Sequence, residues 1–393
     1  LKPFRHQQVR TVQPRQALVP ALVESARRFF KMGHSYVARE SLLESLKSFT
    51  AKEWKLGRHV IFKPDPDGID FSGWVFSSFC AFRGRALAHI LLPLLVIMVE
   101  ATVVAMLSHP AVMADRPLVI PASHAFEDFY RMLGVPVSFL LVFRLNRAAV
   151  RFYDSRAAFG KLIECSRVLA GQAVQYLSHD PVRRDSMCRW VVVYPFAARN
   201  YLRGHAPPDA KEELAGLLNE EEAEQLSRAK MQPLLCLDRI RGSMWSGAKS
   251  NTGLPPSLVA QTLNNMEATL ATITGTVAAM ERINNTPLPI AWVAHLRQFL
   301  LFYLLGIPFS LQSSFGWATP LVTLVISVAM LGLESAAVSC ERPFGHNTNH
   351  LPMTLFCKVI AENVQQILSE TECMDGCADG CTAIDLELGS SQE

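Results

Sequence analysis

Catalytic signatures are missing from this chain. HExxH, GxSxG and a Walker lysine loop do not occur, and no two carboxylates are paired inside an apolar run. Zincin, serine-hydrolase and P-loop chemistry therefore lack their residues, and the chain is not expected to be an enzyme. Inverted repeats and helices broken near a membrane midplane, the usual marks of a coupled transporter, are not seen either. Charge of one sign is in short supply: 38 Lys and Arg stand against 35 Asp and Glu, a net charge of +3. The basic residues lie beside apolar runs rather than in one patch, which argues against a nucleic-acid partner. Cysteine pairing is absent as well. Cys80, Cys165, Cys188, Cys236 and Cys357 are scattered through apolar or helical context, as expected where the soluble parts face a reducing compartment. Cys373, Cys377 and Cys381 form CxxxCxxxC, looser than the CxxC pairs of zinc sites, so no metal is assigned.

What is present is apolar. Half of the 393 residues are hydrophobic, and the mean hydropathy of +0.18 exceeds that of an ordinary soluble protein. A first apolar run covers residues 86–107 and ends at Ser108, His109 and Pro110. Its length spans a hydrocarbon core of roughly 30 Å at about 1.5 Å per residue. Arg83 and Arg85 precede it, and the following loop carries Asp115, Glu127 and Asp128, so the basic flank is expected inside. Further spans are expected over 132–150, 290–311 and 315–340, the last two joined by a short turn, SSFG. Helical periodicity continues past the second span through Phe159, Leu162, Ile163 and Leu169. A soluble helical insert over 151–284 follows, with a long helix-like run over 258–283. The fold class expected is all-α: a polytopic membrane protein with four transmembrane helices per subunit and a cytosolic helical region.

One segment carries the most information: GVPVSFLLVFRLNRAAVRFYDSR, residues 134–156. Val135, Phe139 and Phe143 stand four apart and fall on one drifting stripe of a helix. Pro136 is expected at the helix entrance, where its missing N–H costs least. Arg144, Arg147, Arg151 and Arg156 follow. Such a helix suits one wall of an anion path, and it equally suits a membrane helix stopped by basic residues.

Several stretches, taken together, resemble the bestrophin anion channels in their bacterial- and plant-type branch. Arg151, Phe152, Tyr153, Asp154, Arg156, Phe159 and Gly160 match the pattern R(F/W)(W/Y)(E/D)xRxx(W/F)G. VYPFAARNYLRG resembles that family's middle helix. Glu281, Arg282, Pro287 and Pro289 match its lead-in to the third span, and Glu341, Pro343, Phe344 and Gly345 match its closing ExPFG. The resemblance implies a homopentamer in a lipid bilayer, passing chloride and other small monovalent anions passively. It implies a pore neck at Val135, Phe139 and Phe143, and a second constriction with Leu288 and Ile290 as candidates. Aromatic edges facing the anion would favour large, weakly hydrated species. Arg144 and Arg147, just past the neck, are expected to attract anions by their potential. Arg151 and Arg156 are expected to be structural, as is Glu100 within the first span.

The chain departs from the family after PFG. Animal bestrophins carry an acidic calcium clasp there, whereas this sequence reads PFGHNTNHLPM. His346 and His350 make poor calcium ligands, so no cofactor and no calcium gating are expected. The domain division expected is a basic, partly helical arm (1–78), a channel core (79–345) and a C-terminal segment (346–393) with a disordered acidic, cysteine-bearing tail. An integral, multi-pass location is expected, in the chloroplast thylakoid or the plasma membrane. The first residue is Leu, compatible with a processed chain or a fragment. The arginine-rich opening, with Glu24 as its single acid before Arg28, resembles the end of a transit peptide and equally a cytosolic arm. The alternatives to a passive channel are an anion/proton-coupled transporter working through Glu100 and a non-conducting scaffold.

Overall fold

The computed structural model describes residues 42–52, 87–108, 124–204, 213–347 and 349–389, with side chains over 42–52, 90–108, 126–204, 213–347 and 349–371. These residues are nearly all helical. In chain order the helices are α1 (Leu42–Ala51), α2 (Leu87–Leu107), α3 (His124–Tyr176), α4 (Pro181–Arg203), α5 (Glu220–Arg228), α6 (Gln232–Ser250), α7 (Pro256–Asn285), α8 (Ile290–Phe315), α9 (Thr319–Glu341) and α10 (Met353–Gly389). No strand occurs among the described residues beyond an isolated bridge between Ala215 and Leu218.

Two hydrophobic cores are strung on α3. Its first half contributes Val137 and Leu141 to a cluster with Ile90 and Ile97 of α2, Leu296, Leu300, Leu304 and Ile307 of α8, and Leu331 of α9. Its second half contributes Phe159, Leu162, Leu169 and Ala173 to a larger cluster with α1, α4, α6, α7 and α10. At 53 residues, α3 is about 80 Å long. Around the first core the outward side chains are also apolar, among them Leu92, Leu95, Phe302, Leu321 and Val325. A helix apolar on every side has no aqueous face and belongs in a bilayer.

Three stretches of the described residues are long and apolar enough to cross a membrane: Ile90–Leu107, Phe126–Tyr176 and Ile290–Glu341. The third contains both α8 and α9, which pack against each other. The reversal between them falls at the 3₁₀ turn Gly316–Ala318, where Gly316 has φ +49°. It begins at the last residue of the expected SSFG link and runs two residues further, because α8 keeps its backbone ladder through Phe315.

Another expectation is corrected. Pro136 does not open α3. The helix starts twelve residues earlier, at His124, because Tyr130 packs on α8 and keeps the preceding turns in register. The backbone of α10 is helical to Gly389. The side chains of Cys373, Cys377 and Cys381, and the residues of the basic arm outside α1, lie outside the described set, as does Cys80.

In the second core α4 is buried on nearly every face, including Arg189, Arg199 and Asn200. Asp180 caps its N-terminus, with Pro181 in the first turn, and Gly204 closes it. Arg199 is paired with Glu213 and donates to Thr354 of α10. Arg189 makes a two-pronged contact with Glu222, the same residue that completes the capping box of α5 with Asn219.

Candidate functional site

The stripe singled out in the sequence is the uncovered face of α3. Val135 is 71% exposed, Phe139 62% and Phe143 43%, while Val137 and Leu141 on the other face are 2% exposed. Successive steps of four advance about 40° around a helix, so the three form one drifting ridge. The rings of Phe139 and Phe143 stand 4.7 Å apart at 55°, an i, i+4 aromatic contact that holds both outward. The same face continues through exposed Asn146, Arg147, Val150 and Tyr153. Its character thus changes along the axis from apolar and aromatic to polar and cationic.

Arg144 does not belong to this face. It is 2% exposed. Its Nε donates to Glu334 at 2.5 Å and a terminal nitrogen donates to Glu341 at 3.2 Å. Glu334 also accepts from Arg297 of α8 at 2.7 Å. Two arginines and two glutamates thus balance, and the expected anion-attracting role of Arg144 is replaced by an internal ionic joint of α3, α8 and α9. Arg147, three residues on, is the exposed cation of the pair. Sequence reasoning missed Glu334 and Arg297 as partners. The signal was there: Glu334 is the single charged side chain in the fourth apolar run, and Arg297 the single Arg, Lys, Asp or Glu in the third. A lone acid and a lone base on adjacent spans pair rather than face lipid.

Arg151 and Arg156 both make contacts within the fold, with backbone carbonyls and an aromatic ring and not with Asp154. Arg151 donates to the carbonyl oxygens of Ile283 and Thr286 at 2.6 and 2.7 Å, satisfying the C-terminal end of α7. The guanidinium of Arg156 lies 4.4 Å over the ring of Phe356. Arg151 also ties the Thr286–Pro289 lead-in to α3. Leu288 there is half-buried and Ile290, opening α8, is 82% exposed. Arg151, which ties this lead-in to α3, stands about two turns beyond Phe143, about 12 Å along the helix axis.

The matched motif residues have local tasks. Glu281 accepts from the Tyr201 hydroxyl at 2.6 Å, a bond that pushes the Tyr201 phenol up. The carbonyl of Arg282 accepts from Thr286, closing α7. Pro287 and Pro289 hold an extended approach to α8, with Pro289 at its cap. Pro343 and Phe344 are buried, and the Pro343 carbonyl accepts from Leu351 at 2.9 Å, which folds the PFG loop back. The His350 ring lies against Gly345, its Nδ1 filling the place a Cβ on Gly345 would take, and His346 is exposed. Among the described residues no three His, Cys, Asp or Glu side chains are gathered as a metal site. Cys165, Cys188, Cys236, Cys340 and Cys357 are free thiols. Burial pushes Cys188 and Cys357 up to about 12.

A membrane protein, nearly all helical over its described residues, is the class this architecture defines, with one long helix shared between two hydrophobic cores. The profile of the bacterial/fungal bestrophin proteins matches residues 72–366, and the chain belongs to that family. Among its relatives is a voltage-dependent anion channel-forming protein of Nostoc sp., 29% identical over 60% of this chain and 76% of its own. Another of that name, from Ralstonia nicotianae, is 26% identical over 77% of this chain and 95% of its own. The crystal structure of a bacterial bestrophin homolog from Klebsiella pneumoniae superposes with a TM-score of 0.59 at 24% identity, covering 71% of this chain and 98% of that one. That likeness extends the agreement to the fold.

Proposed function

We propose that this protein is the subunit of a passive anion channel, and not an enzyme. Four spans per subunit (α2, the first half of α3, α8 and α9) assemble as a homopentamer around a central path for chloride and other monovalent anions. Five copies of the Val135–Phe139–Phe143 ridge line its neck, and Leu288 with Ile290 form a second constriction. The observation that carries this reading is the uncovered aromatic ridge of α3, which runs without interruption into Asn146 and Arg147. An exposed cation placed directly after an apolar, aromatic stretch on the same face is what an anion path requires at its mouth. The names carried by the relatives point the same way.

The neck acts by geometry. Phenyl edges carry partial positive charge and present it to a passing anion, while the apolar surface excludes bulk water. Anions that shed water cheaply then pass more readily. Arg147 raises the local anion concentration on the inner side.

The deciding experiment is a planar-bilayer recording of the purified oligomer in asymmetric chloride, repeated with Phe139→Ala plus Phe143→Ala. The expected result is a reversal potential near the chloride equilibrium value, with altered selectivity or conductance in the variant. Current indifferent to the variant places the path elsewhere. Silence from a folded oligomer favours the scaffold, and a reversal potential that follows the proton gradient favours a coupled transporter.

A further inference from the structure

We propose that Gly134 and Tyr303 form a positioning contact that fixes where Val135, and with it the neck, stands relative to α8. The inference rests on the neck reading above. It starts from a reciprocal fit between two antiparallel helices. Tyr130 of α3 lies over Gly306 of α8, so close that a Cβ on Gly306 would overlap the Tyr130 hydroxyl. Tyr303 of α8 lies over Gly134 of α3, where a Cβ would meet the Tyr303 hydroxyl oxygen at 2.8 Å and its Cζ at 3.5 Å. The two rings stack between the helices at 5.9 Å and 23°.

Glycine inside a helix is disfavoured relative to alanine. Two helical glycines, each opposite a tyrosine of the other helix, mark contacts in which an added Cβ forces either the ring or the helix to shift. Gly134 directly precedes Val135. Tyr303 therefore grips α3 at the first neck residue, while the Arg144–Glu334–Arg297 joint grips it one residue past Phe143. The neck segment is held at one end directly against α8 and at the other by Glu334 of α9, with which Arg297 of α8 also pairs. Filling the Gly134 notch rotates or displaces α3 just where the ridge begins, and the spacing of five such ridges fixes the bore.

The geometry supplies its own rescue. In Tyr303→Phe the hydroxyl that obstructs a Cβ at Gly134 is gone, and the nearest remaining atom is Cζ at 3.5 Å, an ordinary contact. The thiocyanate-to-chloride permeability ratio is measured in planar bilayers for the full-chain oligomer, for Gly134→Ala, Tyr303→Phe and the double variant, with Phe139→Ala as reference. The expected result is a change of about twofold or more in Gly134→Ala, a near-native ratio in Tyr303→Phe, and restoration in the double variant. A purely structural contact would lower the melting temperature without moving the ratio. If Gly134→Ala does not assemble, Tyr303→Leu empties the notch without a clash, and a shifted ratio is again expected. An altered ratio in Phe139→Ala beside a native ratio in Gly134→Ala (or Tyr303→Leu), or a double variant that is not restored, overturns the positioning contact and leaves the neck reading standing. A native ratio in Phe139→Ala as well overturns both.

Discussion

Arg144 shows how much one residue's neighbours decide. Among four arginines in thirteen residues it alone is fully buried, and its charge is balanced by Glu334 and Glu341 from a helix 190 or more positions away. Removing one partner of a buried pair strands the other. Glu334→Gln or Arg144→Ala should therefore cost about 3–5 kcal/mol, read as a lowered unfolding midpoint in detergent. Arg297, half exposed, donates to the same carboxylate, and Arg297→Ala should cost only about 1 kcal/mol in the same assay. That Val135, Phe139 and Phe143 share one stripe was legible from helical period; that the stripe is left uncovered by the neighbouring helices was not. Nor was the partner of Arg144, because spacing within a segment says nothing about which segment packs beside it.

At the scale of elements, helix ends are fixed by contacts more than by composition. Arg151 reaches across from α3 to satisfy carbonyls at the end of α7. Arg151→Ala leaves those oxygens without their cation and should cost about 1–2 kcal/mol. The expected signature is faster amide hydrogen exchange over residues 281–286, with the first core unaffected. The apolar runs were readable as helices because their composition leaves no other structure satisfied in lipid. Their limits were less so. The early start of α3 depends on Tyr130 fitting over Gly306, and that pairing joins residues 176 positions apart. The α8–α9 reversal was foreseeable in place, and its extra residues came from a ladder that runs on to Phe315.

At the scale of the molecule, the second core is an aqueous helical body built around α4, and its buried thiols report its integrity. Burial moves Cys188 and Cys357 from an ordinary value of 9.0 up to about 12. A raised thiol value means that the folded state holds protons the unfolded chain gives up. This contribution to stability is fully present below about pH 9 and is lost as pH rises toward 12. Iodoacetamide at pH 9 should accordingly leave both cysteines unmodified in the folded oligomer and label them after denaturation, as peptide mapping would show.

A helix shared between two cores cannot slide along its own axis. Moving α3 outward by one turn would drag Phe159 and Leu162 away from their aqueous partners, and moving it inward would pull Val137 and Leu141 out of the bilayer core. The height of the aromatic ridge relative to the other helices is therefore set from within, not by the lipid. When acyl chains are lengthened or shortened, the bilayer has to deform around the outer ends of α2, α8 and α9, while the aromatic ridge keeps its height. Conduction should then change little between thin and thick membranes.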